Sequence, residues 1–214
     1  MKKITNLNES YLTKLSLLIL TFIGIPIYLY FSGEFERRTT FKEIISIVTI
    51  LGFTLLLSQF FTSRLNKNLV KRIKMINVLK IHKFIGYLFI SILLIHPFLI
   101  VIPKLFDDGV TASDAFVRLI TSFGNTGVIL GLIAYASMLI LIVTAFFRFK
   151  LHIKYRTWRN LHGYLTLLFV ITAIWHVINL GRHSNISFST YYLLIVAIGS
   201  YYLLKTHLFK TSKK

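Results

Sequence analysis

Residues 82–96 read HKFIGYLFISILLIH, and residues 162–176 read HGYLTLLFVITAIWH. Each stretch begins and ends in histidine, and Lys83 is the only charged residue inside either one. His82 and His96 are 14 residues apart, as are His162 and His176. On an α-helix this is a rise of about 21 Å, and steps of about 100° bring both side chains back to nearly the same face. Two parallel helices of this kind would face each other at two levels. Ionisable residues within a hydrocarbon layer are costly and mark function by default. Aligned on the histidines, the stretches also match at Leu88 with Leu168 and at Phe89 with Phe169.

The surrounding composition is that of a membrane protein. The chain has 214 residues, 55% of them apolar, and a mean hydropathy of +0.71. The net charge of +18 would suggest nucleic acid in a soluble protein. Here the basic residues sit in short segments between apolar runs, where they set orientation or meet anionic lipid, so a nucleic-acid partner is excluded. No cysteine is present, which rules out disulfides, iron–sulfur clusters, thiolate zinc and covalently attached haem. Lys2 and Lys3 precede an apolar run from Leu15 to Phe31. That run is too long for a cleavable leader and lacks a small-residue exit, so it is expected to be a first span.

Six apolar stretches can cross about 30 Å of hydrocarbon: 12–31, 43–61, 82–103, 127–147, 160–180 and 187–206. Segment 62–81 holds Arg64, Lys67, Lys71, Arg72, Lys74 and Lys80 without an acid, and segment 148–159 holds Arg148, Lys150, Lys154, Arg156 and Arg159 without one. By contrast, 104–126 carries Asp107, Asp108 and Asp114, and 32–43 carries Glu34, Glu36 and Glu43 among its bases. The positive-inside rule places both termini and the two basic segments in the cytoplasm. The expected fold is therefore an all-α integral-membrane bundle of six transmembrane helices, forming a single domain over 1–214. The third and fifth spans then run in the same direction, with His82 and His162 at the inner level and His96 and His176 at the outer. Residues 113–123 read as a short interfacial helix capped by Ser113. Gly124-Asn125-Thr126-Gly127 reads as a turn, and Gly127 with Gly131 as a close-packing pair.

Two bis-histidine haems stacked through the membrane have this layout. Without cysteine they would be two haem b groups, with His82 and His162 on the inner iron and His96 and His176 on the outer. Bis-imidazole ligation leaves iron six-coordinate and suits one-electron transfer. Anionic propionates would point to the membrane faces, where Lys80, Lys83, Arg156 and Arg159 could hold the inner set, and Lys104, Arg182 and His183 the outer. The alternative for each of these cations is topology and snorkelling. Phe89 or Phe169 falls midway between the levels and is a candidate filler between the macrocycles; the plainer alternative is core or lipid packing. A single four-histidine metal site is excluded by the distance between levels. His152, His183 and His207 fall in loops or at a span end and read as surface residues. There is no phosphate loop, no nucleophile–base pair and no acid inside the spans. No catalytic side chain is assigned, and proton pumping is not expected.

The motif Trp158-Arg159-Asn160-Leu161-His162-Gly163-Tyr164 with His176, and His82-Lys83-Phe84-Ile85-Gly86-Tyr87 with His96, resemble the ferric reductase-like transmembrane domain. This family includes ferric reductases, NADPH oxidases and the haem subunit of bacterial methionine sulfoxide reductase. The resemblance implies that the four histidines ligate two b haems and that electrons pass from cytoplasm to exterior. It also implies an oxidoreductase role as the haem-bearing component, in a bacterial plasma membrane. The flavin and nicotinamide domains of the larger members are not expected here. The donor would then be a separate cytoplasmic flavoprotein, with FAD or FMN on that partner or at the cytoplasmic face, or a membrane quinol. The acceptor would be ferric iron, oxygen or an extracytoplasmic redox protein. The first rival reading is a quinol-oxidising di-haem cytochrome b, and the second is a haem-free transporter or scaffold with histidines lining a polar cavity.

Overall fold

The computed structural model describes residues 13–63, 67–102, 109 and 111–208. The described residues form seven helices and no strand: α1 (Thr13–Ser32), α2 (Thr40–Leu57, continued by a 3₁₀ turn Ser58–Phe60), α3 (Lys67–Val101), α4 (Ala112–Thr121), α5 (Thr126–Phe146), α6 (Tyr155–Leu180) and α7 (Ile186–Leu208). All but α4 are long and apolar enough to cross a membrane, so the six expected spans are present.

Two spans start earlier than their hydropathy suggests. The apolar part of α3 begins at Lys74, not 82, and α6 begins at Tyr155, not 160. Basic residues in the first turns depress the local hydropathy, although Lys74, Lys80 and Arg156 are exposed and can keep their charged heads in water. Consequently His82 and His162 sit about two turns inside their helices, at matching depth. Lys74, with φ 64° and ψ 149°, kinks α3 at the membrane edge. The interfacial helix α4 is capped by Thr111 rather than Ser113: the Thr111 hydroxyl accepts from the Asp114 N–H at 3.1 Å. Asn125 caps α5 in the same manner, accepting from the Gly127 N–H at 2.8 Å.

Pro26 determines how α1 is fastened. It has no N–H to give the carbonyl of Phe22, and the preceding turn Leu20–Gly24 is π-helical, with Ile25 N–H reaching back to Leu20. The carbonyls of Thr21 and Phe22 are thereby free for other helices. Tyr191 of α7 donates to Thr21 at 2.9 Å, and the fully buried Thr54 of α2 donates to Phe22 at 3.0 Å. In lipid a freed carbonyl needs such a partner, so one proline ties α1 to two neighbours.

The most extensive packing joins α5 to α6, followed by α2 to α3. By contrast, α3 and α6 make almost no direct backbone contact. The core comprises Phe22, Phe53, Leu57, Met138, Phe169, Ile174 and Phe188, among others. Leu88 and Leu168 are half-exposed, facing outward while the histidines turn inward. Gly199 lets α7 lie against Phe60, since a Cβ there would be 2.7 Å from the ring. Gly199→Ala is therefore expected to cost about 1–3 kcal/mol through overpacking, read as a lower thermal midpoint in detergent.

Candidate functional site

The four intramembrane histidines all lie in the bundle interior at partial exposure. His82 and His162 are within electrostatic reach of one another, and so are His96 and His176. Both approaches occur across α3 and α6, the two helices whose backbones stand apart. Each pair thus shares one level of the space between the two helices.

Each histidine is held differently. The Nδ1 of His176 lies 2.8 Å from the Gly127 carbonyl. A carbonyl only accepts, so Nδ1 carries the proton and donates, which leaves Nε2 as the free lone pair. Gly131, one turn further along α5, makes room for this ring: a Cβ at that position would be 2.5 Å from His176 Nδ1. The Gly127/Gly131 pair is close packing, as its spacing implies: Gly131 packs on the His176 ring, and Gly127 on Leu180 and Asn179. His162 is oriented by stacking, with the Trp158 ring 5.2 Å away and inclined by 23°. Trp158 is itself fixed by donating from Nε1 to the Thr144 carbonyl at 2.9 Å. Among the described residues, the Nδ1 atoms of His96 and His162 are buried without a hydrogen-bond partner. His82 is met by Gln59, from the 3₁₀ turn that ends the second span.

A cavity of about 690 Å³ opens beside the outer pair, lined by His96, His176, Phe53, Phe169 and Tyr192. That volume lies within the range of about 300–1,000 Å³ typical of cofactor sites. Phe169, the residue midway between the levels, is buried and forms part of this wall. Cations complete it: Arg38, Lys42 and Arg182.

The expected cations fare unequally. Arg159 is half-buried, and its Nε is enclosed without a partner. Lys80, Lys83 and Arg156 are exposed, and Lys83 points away from the space its neighbour His82 occupies. Arg182 lines the outer cavity and donates to the Glu36 carbonyl. Lys104 lies outside the described residues, as do Asp107 and Asp108. His152 is exposed, as expected of a surface residue. His183 is not: it is buried, with its ring 4.7 Å from that of Tyr30 and 4.8 Å from that of Phe35. Its Nε2 is 3.8 Å from Glu43, a carboxylate that also accepts from the Tyr30 hydroxyl and from Arg38 at 3.1 Å. Glu43 lies in the first turn of α2, inside the second span, so that span does contain an acid. Its charge is balanced by Arg38 rather than left unpaired, which is why it is tolerated there.

These elements define an integral-membrane helical bundle built around two levels of paired histidine. The chain belongs to the ferric reductase-like transmembrane component family, which matches residues 48–173, and its class is that of a membrane electron-transfer component of oxidoreductase type. The match includes His82, His96 and His162 and stops three residues before His176. A protein of Archaeoglobus fulgidus described as uncharacterized is 35% identical over 162 residues, spanning 76% of this chain and 88% of that one. No solved structure matches the chain.

The buried loop residue His183 makes stability pH-dependent. Burial pushes its imidazole below the ordinary value of about 6.5, with the Glu43 charge opposing the shift. The unfolded chain then binds the proton more readily than the folded one. The stabilisation is present above about pH 6.5 and is lost as the pH falls through the lower folded value. Thermal midpoints measured from pH 7.5 to 5 are expected to fall more steeply for the wild type than for His183→Phe.

Proposed function

We propose that this chain is a di-haem b-type membrane cytochrome. It would pass electrons from a cytoplasmic donor, across the plasma membrane, to an external acceptor. One observation carries this reading: α3 and α6 stand apart, and the space between them at the outer level is a cavity lined by both His96 and His176. A polar core would close such a gap with direct hydrogen bonds. Here two of the four rings keep a buried, unpartnered Nδ1.

The residues present fit the group. His82 and His162 would hold one iron, and His96 and His176 the other. Bis-imidazole haem supplies a one-electron couple at six-coordinate iron. The Gly127 carbonyl and the Gly131 notch aim His176 Nε2 away from α5, and the Trp158 ring fixes the plane of His162. Phe53 and Phe169 exclude water from the outer space. Arg159, with its enclosed Nε, suits an inner propionate, and Arg38 and Arg182 suit an outer one.

The orientation follows from charge. The basic segments 62–81 and 148–159 stay cytoplasmic, as do both termini. On that face Arg148 lies over the rings of Tyr155 at 4.5 Å and Trp158 at 4.8 Å. Phe149 beside it is 84% exposed. A basic, aromatic surface reaching the His162 level suits an acidic flavoprotein carrying FAD or FMN. Ferric iron, oxygen or an external redox protein would take the electron.

Haem-replete expression is expected to yield about two haem b per chain with a low-spin spectrum. His96→Ala or His176→Ala should halve the haem and leave the inner group. A purified protein without a Soret band would overturn the assignment, and rapid reduction by quinol alone would favour a quinol-oxidising cytochrome. Gly131→Ala drives a methyl group into the His176 ring and should lower outer haem occupancy while sparing the inner. Haemochrome quantitation on the Gly131→Ala/His96→Ala pair checks this, because the second change should then add nothing.

A further inference from the structure

The outer cavity has a third histidine in its wall. Besides His96 and His176, its lining includes His183, Arg38, Lys42 and Arg182. Arginine and lysine side chains keep their charge across neutral pH, whereas histidine is the side chain that changes it there. Outside the ligand pairs, and among the described residues, His183 is therefore the group in this wall whose charge is free to respond.

Its place is fixed against the outer ligand. His183 lies in the turn that joins α6 to α7. The Ser184 hydroxyl donates to the Val177 carbonyl at 2.6 Å, and the Gly181 N–H donates to the same carbonyl at 2.7 Å. Val177 directly follows His176. A Cβ at Gly181 would stand 2.4 Å from that carbonyl, so glycine is what allows the turn to fold down on the end of α6. The His183 ring sits between those of Tyr30 and Phe35. Glu43 stands 3.8 Å from Nε2 and does not itself line the cavity.

The titratable and charged groups facing His183 are Tyr30 from α1, Arg38 from the segment before α2, Glu43 from α2, and its neighbour Arg182. Glu43 favours the protonated ring, and the two arginines oppose it. Arg38 is partly neutralised, since its Nε donates to Glu43 at 3.1 Å and its guanidinium also donates to the Ser46 hydroxyl at 2.6 Å. Burial is the largest influence and keeps the ring neutral at pH 7. An electron arriving at the outer level adds one negative charge beside this wall. Buried charges are screened far less than exposed ones, so the imidazolium form gains.

We infer that His183 is the proton-accepting group of the outer electron-transfer step, taking one proton from the outer side when the outer iron is reduced and releasing it when the electron leaves. This rests on the di-haem reading above. Ferric iron gains one electron, the unprotonated ring nitrogen of His183 gains one proton, and the net charge of the site is unchanged. The proton has a short way to come, because Arg182 beside His183 is exposed. The sign follows from linkage: the group binds its proton more tightly in the reduced state, so the midpoint potential falls as pH rises between the oxidised-state and reduced-state values of the ring.

The test uses the full chain in the His82→Ala background, where a single outer haem reports without overlap. Its midpoint potential is measured by optical potentiometric titration from pH 5 to 8.5. The parent is expected to show a potential that falls with rising pH. His183→Phe keeps an aromatic ring between Tyr30 and Phe35 but cannot titrate; it should match the parent at pH 8.5, lie below it at pH 5, and show a flattened profile. His183→Gln, which keeps a polar group towards Glu43, should give the same flattening. Glu43→Gln withdraws the charge that supports the imidazolium and should move the sloping region to lower pH. A merely structural role would shift the His183 variants at both ends of the range. A slope retained in both His183 variants assigns the proton to the haem propionates and overturns the role of His183 alone, as does a parent whose potential is flat with pH. A wild-type chain that takes up no haem overturns the di-haem reading, and this inference with it.

Discussion

An imidazole is costly to place in hydrocarbon, and the architecture is organised around four of them. Without water, each ring nitrogen has to meet a protein group, another ligand or a metal. The chain answers by holding α3 and α6 apart instead of packing them. The α5/α6 and α2/α3 pairs keep that separation rigid from outside. Direct packing of α3 on α6 would bury more apolar surface, but it would crush four polar rings against each other in a medium that cannot solvate them. The gap is thus a consequence of what the histidines require, and the pairs of supporting helices are what keep it open.

The supporting helices place their irregularities where the two levels need them. Glycine does this on α5, where two residues one turn apart supply a carbonyl and a notch for one ring. At Gly86 it admits a side chain from α2. Proline does it on α1, where the freed carbonyls of Thr21 and Phe22 become attachment points for Tyr191 and Thr54. These interruptions of regular helix are met by partners from other elements, which is the condition for tolerating irregular backbone at this depth.

The six spans and the two histidine pairs were legible because both signals are local: apolar length, charge between spans, and a 14-residue repeat. Phe169 could be singled out for the same reason. The helix starts at Lys74 and Tyr155 were hidden because hydropathy counts a lysine as polar wherever its head snorkels. His183 looked like a loop residue because its burial comes from Tyr30 and Phe35, remote in sequence, folding over it. Glu43 appeared to lie at a span edge because its counter-charge Arg38 belongs to the preceding loop. Gln59 carried no signal at all. It is one polar residue at the end of an apolar helix, and only the 3₁₀ turn brings it to His82.

The two levels differ in what fixes their rings. At the outer level the partner of His176 is a main-chain carbonyl, which no substitution at Gly127 removes. Its strength is set by the backbone, and the sequence can influence it only through the notch that Gly131 leaves for the ring. At the inner level the His162 ring is held by stacking on Trp158, a side chain open to replacement one residue at a time. Trp158 is in turn anchored to the Thr144 carbonyl of α5. The helix that notches one ring therefore also fixes the support of the other, and both rings face the gap because α5 packs so closely on α6.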